Sequence, residues 1–354
     1  MAGSRLAYFL DAPATALVAR DLDLPAPAAG EAVVEVLACG LCHTDLGFAD
    51  GSVRPNKTLP LVLGHEVVGT LVAVGEGVTL ATGTRVIVPA VLPCGACEFC
   101  RAGRGNACPH QKMPGNDIHG GFATHLLVPA HPLVPLDALG DKVDPRLLSV
   151  VADAVSTAYQ AVKRAGLAAG DAVFVVGAGG VGGFVVQIAR ALGARVAVCD
   201  VQPKRLEQLA AHGAEHTVNV QDRTPQEVRK ELHALARGWG VSSLRWRIFE
   251  CSGTPAGQQL AFGLLARGAT LLQVGYTPKP VEVRLSNLMA FDATIHGSWG
   301  CPTEAYPEVL RLIADGRVVL DPFVEYAPMS RINEWLDALA HHRLERRLIL
   351  DPRA

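Results

Sequence analysis

The sequence predicts an α/β chain in which a mainly β domain is joined to a doubly wound parallel sheet, and three observations predict it. Residues 31 to 135 read as short strands punctuated by glycine. From about residue 155 apolar strands alternate with apolar-periodic helices, the pattern of a parallel sheet covered on both faces. A length of 354 residues suits two domains of ordinary size. The division expected is 1–154 with 298–354 for the first domain and 155–297 for the second.

In the first domain EAVVEVLACG, EVVGTLVAVG, TRVIVPA and GGFATHLLVPA are the strands, giving an all-β, barrel-like region. The second opens with the strand DAVFVVGAG, the helix VGGFVVQIARALGA ending at glycine, and the strand RVAVCD. A helix in PKRLEQLAAHGA, strands in EHTVNV and WRIFECSG, a helix in GQQLAFGLLARGA and strands in TLLQVGY and ATIHGSW complete six strands. The stretch from about 298 carries its own prolines and a final strand-like RLIL, which is expected to return to the first domain.

Hydrophobic residues make up 49% and charged residues 19%, so apolar surface is ample and no disorder signature is present. A net charge of −2 gives no electrostatic footprint for nucleic acid or an anionic membrane, and small molecules are the expected partners. MAGSRLAYFL lacks a basic region followed by an apolar signal core, and no apolar run approaches the roughly 18 residues of a spanning helix. A cytoplasmic location is the expectation. Nine cysteines, an odd number, fit a reducing compartment where thiolates serve metals better than disulfides.

Cys94, Cys97, Cys100 and Cys108 form C-x2-C-x2-C-x7-C, short enough for one loop, 94–108, to wrap four thiolates around a tetrahedral zinc. Four sulfur ligands close the coordination sphere, so this ion holds the loop together. An iron–sulfur cluster, a disulfide knot and a nucleic-acid-binding zinc module are the alternatives.

GAGGVGG supplies G-x-G-x-x-G as Gly177, Gly179 and Gly182, after a strand and opening a helix. In that context Gly180, Val181 and their neighbours present backbone N–H groups to a pyrophosphate, the turn of a Rossmann dinucleotide site. Asp200 ends the next strand, 18 residues after Gly182. Its carboxylate suits an adenosine ribose 2′-OH and repels a 2′-phosphate, which favours NAD over NADP. Lys204 and Arg205 nearby soften that preference, and Asp200 as a simple turn former is the alternative.

A second cluster is dispersed: Cys42 in CGLCHTD, His65 and Glu66 in LGHEVVG, and Asp153 in SVVADAVSTAY. Together with the cysteine lobe, GAGGVGG and the chain length, these stretches make the sequence resemble the zinc-containing medium-chain alcohol dehydrogenases over nearly its whole length. The resemblance implies a GroES-like catalytic domain beside the Rossmann domain, two zinc ions per chain, NAD, and a homodimer or homotetramer. It implies Cys42, His65 and Asp153 as ligands of the catalytic zinc, whose fourth position takes a water or substrate oxygen. Many relatives carry cysteine where Asp153 stands. Glu66 approaches the metal during ligand exchange in such enzymes, Asp45 orients His65 through its second nitrogen, and Thr44 takes the alcohol proton. A relay histidine of some relatives is replaced by Gly47, so the proton exit differs. His43 and Arg347 match positions that meet the cofactor pyrophosphate. Cys39 reads as a buried thiol, and Cys199, Cys251 and Cys301 as core or near-core thiols.

VIVPAVLPCGACEFC, MPGNDIHGGFATHLLVPA and LSVVADAVSTAYQAV further resemble the 6-hydroxycyclohex-1-ene-1-carbonyl-CoA dehydrogenases of anaerobic benzoyl-CoA degradation. That resemblance implies an acyl-CoA thioester whose ring secondary alcohol is oxidised to the 6-oxo product. No basic cluster for the CoA phosphates stands out; Lys57, Arg101, Arg104, Lys112, Lys163 and Arg164 are scattered. The alternatives are a dehydrogenase for a free secondary, cyclic or aromatic alcohol, a non-catalytic zinc and dinucleotide binder, and a zinc-free reductase on the same architecture.

Overall fold

The computed structural model describes residues 5–136 and 143–354. The chain forms two compact units, one of residues 1–156, 300–314 and 320–354 and the other of 157–299 and 315–319.

The first unit is built on a long strand, β3 (Glu31–Gly40), buried along most of its length because apolar residues occupy both of its faces. Other strands of this unit are β1 (Leu6–Leu10), β2 (Val18–Asp21), β4 (Leu61–Val62), β5 (Glu66–Val74), β6 (Arg85–Val88), β7 (His125–Pro129), β8 (Val134–Pro135), β15 (Val324–Pro328) and β16 (Arg347–Asp351). They make a seven-stranded sheet of order β15-β16-β3-β5-β6-β8, with β7 also on β3, and a three-stranded sheet β2-β1-β4. Register shifts in β3 at Val33/Val34 and Val36/Ala38 mark bulges, the irregularity that increases the twist of a strand pair. The core is filled by Leu10, Leu61, Leu63, Leu71, Phe122 and Leu126, each buried. Helices α1 (His43–Asp50), α2 (Glu98–Arg101), α9 (Tyr306–Ala314) and α10 (Ile332–Ala340) complete it, and the division between units falls within α3 (Ala154–Arg164).

Register in this sheet does the assembling. Gly40 at the end of β3 lies opposite Glu66 at the start of β5. Cys42, two residues beyond β3, is thereby delivered beside His65, one residue before β5. The C-terminal strand pairs Ile349 with the same Gly40, which carries Arg347 to Glu66.

The second unit is a six-stranded parallel sheet of order β11-β10-β9-β12-β13-β14. Its strands are β9 (Ala172–Val176), β10 (Arg195–Asp200), β11 (His216–Asn219), β12 (Trp246–Glu250), β13 (Thr270–Gln273) and β14 (Thr294–Gly297). In chain order that is 3-2-1-4-5-6, so the order reverses between β9 and β12 and opens a crevice at the carboxyl ends of those strands. All five residues of β9 are buried, as a central parallel strand covered on both faces requires. The helices of this unit are α4 (Gly180–Ala191), α5 (Pro203–Ala211), α6 (Pro225–Gly238), α7 (Pro255–Gly263) and α8 (Ser286–Phe291). Thr224 and Glu227 form a capping box at the start of α6, with Pro225 at its first position.

One segment departs from the division expected from sequence. Asp315–Val319 belongs to the second unit, whereas the pattern had assigned everything after 298 to the first. Gln187 on α4 explains it: its amide nitrogen donates to Val319 O at 3.2 Å and its oxygen accepts from Val319 N at 2.8 Å. A buried side chain thus satisfies both main-chain groups of one residue 132 positions away.

Candidate active site

Cys42 caps the N-terminus of α1, and its backbone N–H donates to Asp45 Oδ2 at 3.0 Å. Asp45 is fully buried, and its other oxygen accepts from Gly64 N at 3.0 Å and meets His65 Nδ1 at 3.2 Å. The imidazole is therefore held at Nδ1, which leaves the lone pair of Nε2 available to a ligand. Nε2 is buried without a hydrogen bond and lies 3.6 Å from Asp153 Oδ2. One atom each of Cys42, His65 and Asp153 falls within 4.8 Å of the others. An imidazole nitrogen left unsatisfied beside a thiol and a carboxylate fits a cation held by three protein ligands with one position open. Burial opposes a charge on His65, yet Asp45 and Asp153 hold its basicity well above the ordinary value. The negative field that attracts a proton there also suits a metal ion.

Main chain rather than side chain sets where His65 sits. Gly64 is left-handed (φ +95°), and a Cβ on it would lie 2.6 Å from the Phe122 ring. A Cβ on Gly120 would lie 2.3 Å from Gly64 O, and one on Gly115 2.8 Å from Gly64 N. The loop Met113–Ile118 is itself tied down: Asp117 accepts from Met113 N at 2.8 Å, while Asn116 O accepts from Lys57 N at 2.8 Å.

Thr44 Oγ1 lies 3.7 Å from Cys42 Sγ, within reach of an oxygen bound near that sulfur. Glu66 is fully buried and paired with Arg347, whose Nε and Nη2 donate to its two oxygens at 2.8 and 2.6 Å. Glu66 also accepts from Ala154 N at 3.1 Å. Arg347, expected from sequence at a pyrophosphate, thus has two of its three guanidinium nitrogens on Glu66, and Glu66 itself is held by an arginine and an amide. Exposed His43 stacks on His342 with ring centroids 6.3 Å apart. Cys39 is buried, as are Cys199 and Cys301.

In the cysteine lobe Cys97 Sγ lies 3.5 Å from Cys100 Sγ and 3.6 Å from Cys108 Sγ, and Cys94 Sγ 3.9 Å from Cys100 Sγ. A zinc–sulfur bond of about 2.3 Å gives a tetrahedron edge of about 3.8 Å. All four cysteines are free thiols, and sulfurs spaced at 3.5–3.9 Å match one tetrahedron about a single ion rather than a disulfide or a multi-iron cluster. Backbone N–H groups of Ala96 and Cys97 pull the Cys94 thiol down to about 6, so that it enters as thiolate at neutral pH.

The glycine turn follows β9. Gly177 is left-handed (φ +98°), and a Cβ on it would lie 2.5 Å from Ser252 N. A Cβ on Gly182 would fall 1.8 Å from Gly177 O, so this glycine is what lets α4 start against the strand. Gly179, the N-cap of α4, is different: a Cβ there would meet only Arg205 Nη1, at 4.0 Å. Its absence leaves space in front of the N–H groups of Gly180 and Val181, the place a pyrophosphate takes. Asp200 closes the crevice, accepting from Ala178 N at 2.6 Å and Gln202 N at 2.8 Å.

Sequence reasoning missed two groups. Glu250, buried at the end of β12, accepts from Ser252 N at 2.8 Å, Ser252 Oγ at 2.5 Å and Gln273 Nε2 at 2.9 Å, fixing the loop that faces Gly177. Its signal was an acid closing an otherwise apolar strand. Tyr306, buried behind Asp153, gave none.

Two family models match: an alcohol dehydrogenase GroES-like domain over residues 28–138 and a zinc-binding dehydrogenase over 180–315. An alcohol dehydrogenase of Moraxella sp. (strain TAE123) is 32% identical over 333 residues, 94% of each chain. The L-galactonate-5-dehydrogenase of Escherichia coli (strain K12) is 30% identical over 306 residues, 86% of each. Among solved structures, acetophenone reductase from Geotrichum candidum NBRC 4597 in complex with NAD superposes with a TM-score of 0.85 at 26% identity, covering 99% of this chain and 98% of that one.

Proposed function

The chain belongs to the zinc-dependent medium-chain alcohol dehydrogenases, oxidoreductases acting on CH–OH donors, and on that premise we propose that it oxidises a secondary alcohol with NAD at a zinc held by Cys42, His65 and Asp153. The observation that carries this reading is the orphaned, buried Nε2 of His65, fixed by Asp45 and facing Asp153. When bound, zinc supplies a Lewis acid for the alcohol oxygen and NAD the acceptor of its hydride.

The chain's own residues do the rest. Asp45 keeps His65 in the tautomer whose Nε2 is a lone pair. Thr44 takes the hydroxyl proton of the alcohol, and Gly47 stands where some relatives place a relay histidine, so no side chain at that position carries the proton onward. Arg347 neutralises buried Glu66, and the family resemblance assigns it, with His43, to the cofactor pyrophosphate. The amides of Gly180 and Val181 would hold the phosphates and Asp200 the adenosine ribose. The lobe of Cys94, Cys97, Cys100 and Cys108 holds the second, structural zinc.

For the substrate we favour 6-hydroxycyclohex-1-ene-1-carbonyl-CoA, oxidised to the 6-oxo thioester in the cytoplasm. The resemblance of residues 86–100, 113–130 and 148–162 to that subgroup supports it. Relatives whose names place the reacting oxygen on an interior carbon, as in L-galactonate-5-dehydrogenase and acetophenone reductase, support a secondary alcohol of either kind. Assembly through a second copy is supported by β14, which ends the parallel sheet with Ile295 exposed and exposed Leu285 and Met289 nearby in sequence. Steady-state NAD reduction with the cyclic hydroxyacyl-CoA and a panel of free secondary alcohols tests the substrate. A kcat/KM for the thioester at least tenfold above every free alcohol is expected, and preference for a free alcohol overturns the CoA reading.

A further inference from the structure

Asp153 presents its carboxylate from a short side chain, so any movement of its backbone passes directly to the coordinating oxygen. The backbone there is irregular, with φ −137° and ψ −67° between the 3-10 turn Pro145–Ala152 and α3.

Main-chain groups on both sides of Asp153 are taken up by side chains and by main chain distant in sequence, and its own carbonyl by Ser156 three residues on. Ala152 O accepts from Tyr306 Oη at 2.7 Å and from Ala90 N at 3.0 Å. Ser156 Oγ lies 3.2 Å from Asp153 O and 3.2 Å from Tyr306 Oη. The tyrosine proton is committed to Ala152 O, so the serine proton is shared between Asp153 O and the phenol oxygen. Ala154 N donates to Glu66 Oε1 at 3.1 Å. Tyr306 and Ser156 are each about 1% exposed, and the hydrogen bonds they make go to main chain and to each other. A phenol is a large polar group to bury, and its hydroxyl is placed on the carbonyl immediately before the ligand.

We infer that Tyr306, acting with Ser156, is a positioning residue that sets the Asp153 carboxylate in coordinating register by clamping the carbonyls on either side of it. This rests on the reading of Asp153 as a zinc ligand. Outer partners of metal ligands typically change affinity by about tenfold to a hundredfold when removed, because ligand distances are confined to within about 0.2 Å. The phenol clamp acts on backbone rather than on the ligand side chain. Its removal therefore loosens one ligand out of three.

The test measures zinc release from the folded holoenzyme to a chromogenic chelator, with circular dichroism as a check on folding. Wild type is compared with Tyr306→Phe, Ser156→Ala and Asp153→Ala. Tyr306→Phe keeps the ring and deletes one hydroxyl, and the four-cysteine zinc is an internal control in every variant. The expected result is that one zinc per chain leaves about tenfold or more faster in Tyr306→Phe, somewhat faster in Ser156→Ala and fastest in Asp153→Ala, while the other zinc keeps its wild-type rate. If Asp153→Ala releases one zinc quickly but Tyr306→Phe behaves as wild type, the positioning role is overturned and the ligand set stands. If Asp153→Ala also behaves as wild type, the ligand set fails and the inference with it. Faster loss of both ions in Tyr306→Phe identifies general loosening and overturns the specific role.

Discussion

Removing the arginine from the Glu66–Arg347 pair has a cost that follows from its geometry. The two nitrogen–oxygen distances are 2.8 and 2.6 Å, and the side chains are 0% and 11% exposed. Arg347→Leu leaves a carboxylate in the interior with the N–H of Ala154 as its remaining donor. Breaking a buried pair on one side costs about 3–5 kcal/mol, because the surviving charge loses its partner without regaining water. At roughly 2–4 °C per kcal/mol for a unit of this size, the melting temperature should fall by about 6–20 °C. Burial already pushes the Glu66 carboxyl above its ordinary value and Arg347 holds it back. Without the arginine its folded-state pKa rises further above the unfolded one, so the deficit should be largest at neutral pH and shrink as pH falls and Glu66 protonates. Glu66→Gln combined with Arg347→Leu removes both charges and should recover more than half of the loss. Urea denaturation followed by circular dichroism measures all three variants. A loss below about 1 kcal/mol for Arg347→Leu, the worth of a surface pair, or a double variant no more stable than the single one, would refute the reasoning.

Asp45→Asn keeps the size of the side chain but turns a donor toward a shell of N–H groups. It should weaken the catalytic zinc about tenfold to a hundredfold in chelator titration, and unaltered affinity would contradict the orienting role. Two glycines of one turn should behave differently. Gly182→Ala forces a Cβ against Gly177 O and should lower both the melting temperature and NADH affinity, whereas Gly179→Ala should keep the melting temperature and lose affinity, as read by cofactor fluorescence. Equal effects would mean that the space at Gly179 is not the cofactor's. Burial depresses the basicity of His233, whose Nε2 lies 3.1 Å from Leu264 O and whose ring stands on Trp246. Its stability contribution is complete above about 6.5 and is lost as pH falls through the lower folded value. His233→Gln should flatten the acid side of a melting-temperature profile, and an unchanged slope would assign that acid sensitivity to other groups.

What could be read from sequence was what is local in sequence. The six strands of the parallel sheet, the glycine turn and the cysteine lobe each occupy a contiguous stretch, so periodicity or spacing carries them. Helix α6 went unread between EHTVNV and WRIFECSG, although Thr224, Pro225 and Glu227 carry the residues of a capping box at its start. Cys42, His65 and Asp153 have no mutual spacing to recognise. The antiparallel register of β3 and β5 brings the first two together, and only resemblance could nominate them. Arg347 reaches Glu66 across 281 residues through strand pairing, and no charge pattern foretells that. Asp315–Val319 crossed to the other unit because of one glutamine amide, and Tyr306 acts through a carbonyl, a group every residue carries.

The seam of glycines at 64, 115 and 120 has a consequence for how this chain can diverge. Two segments of main chain touch there without side chains between them, and one of them runs straight into His65. Around that seam half-buried Ile118 is the position open to exchange, whereas Met113 and Pro114 are buried and the three glycines admit no Cβ without meeting main chain or the Phe122 ring. Saturation mutagenesis over 113–121 should therefore yield two kinds of position side by side: permissive ones whose variants keep zinc and shift specificity, and intolerant ones whose variants lose zinc whatever residue is tried. New specificities are then open to selection in this loop only as far as its backbone trace is kept.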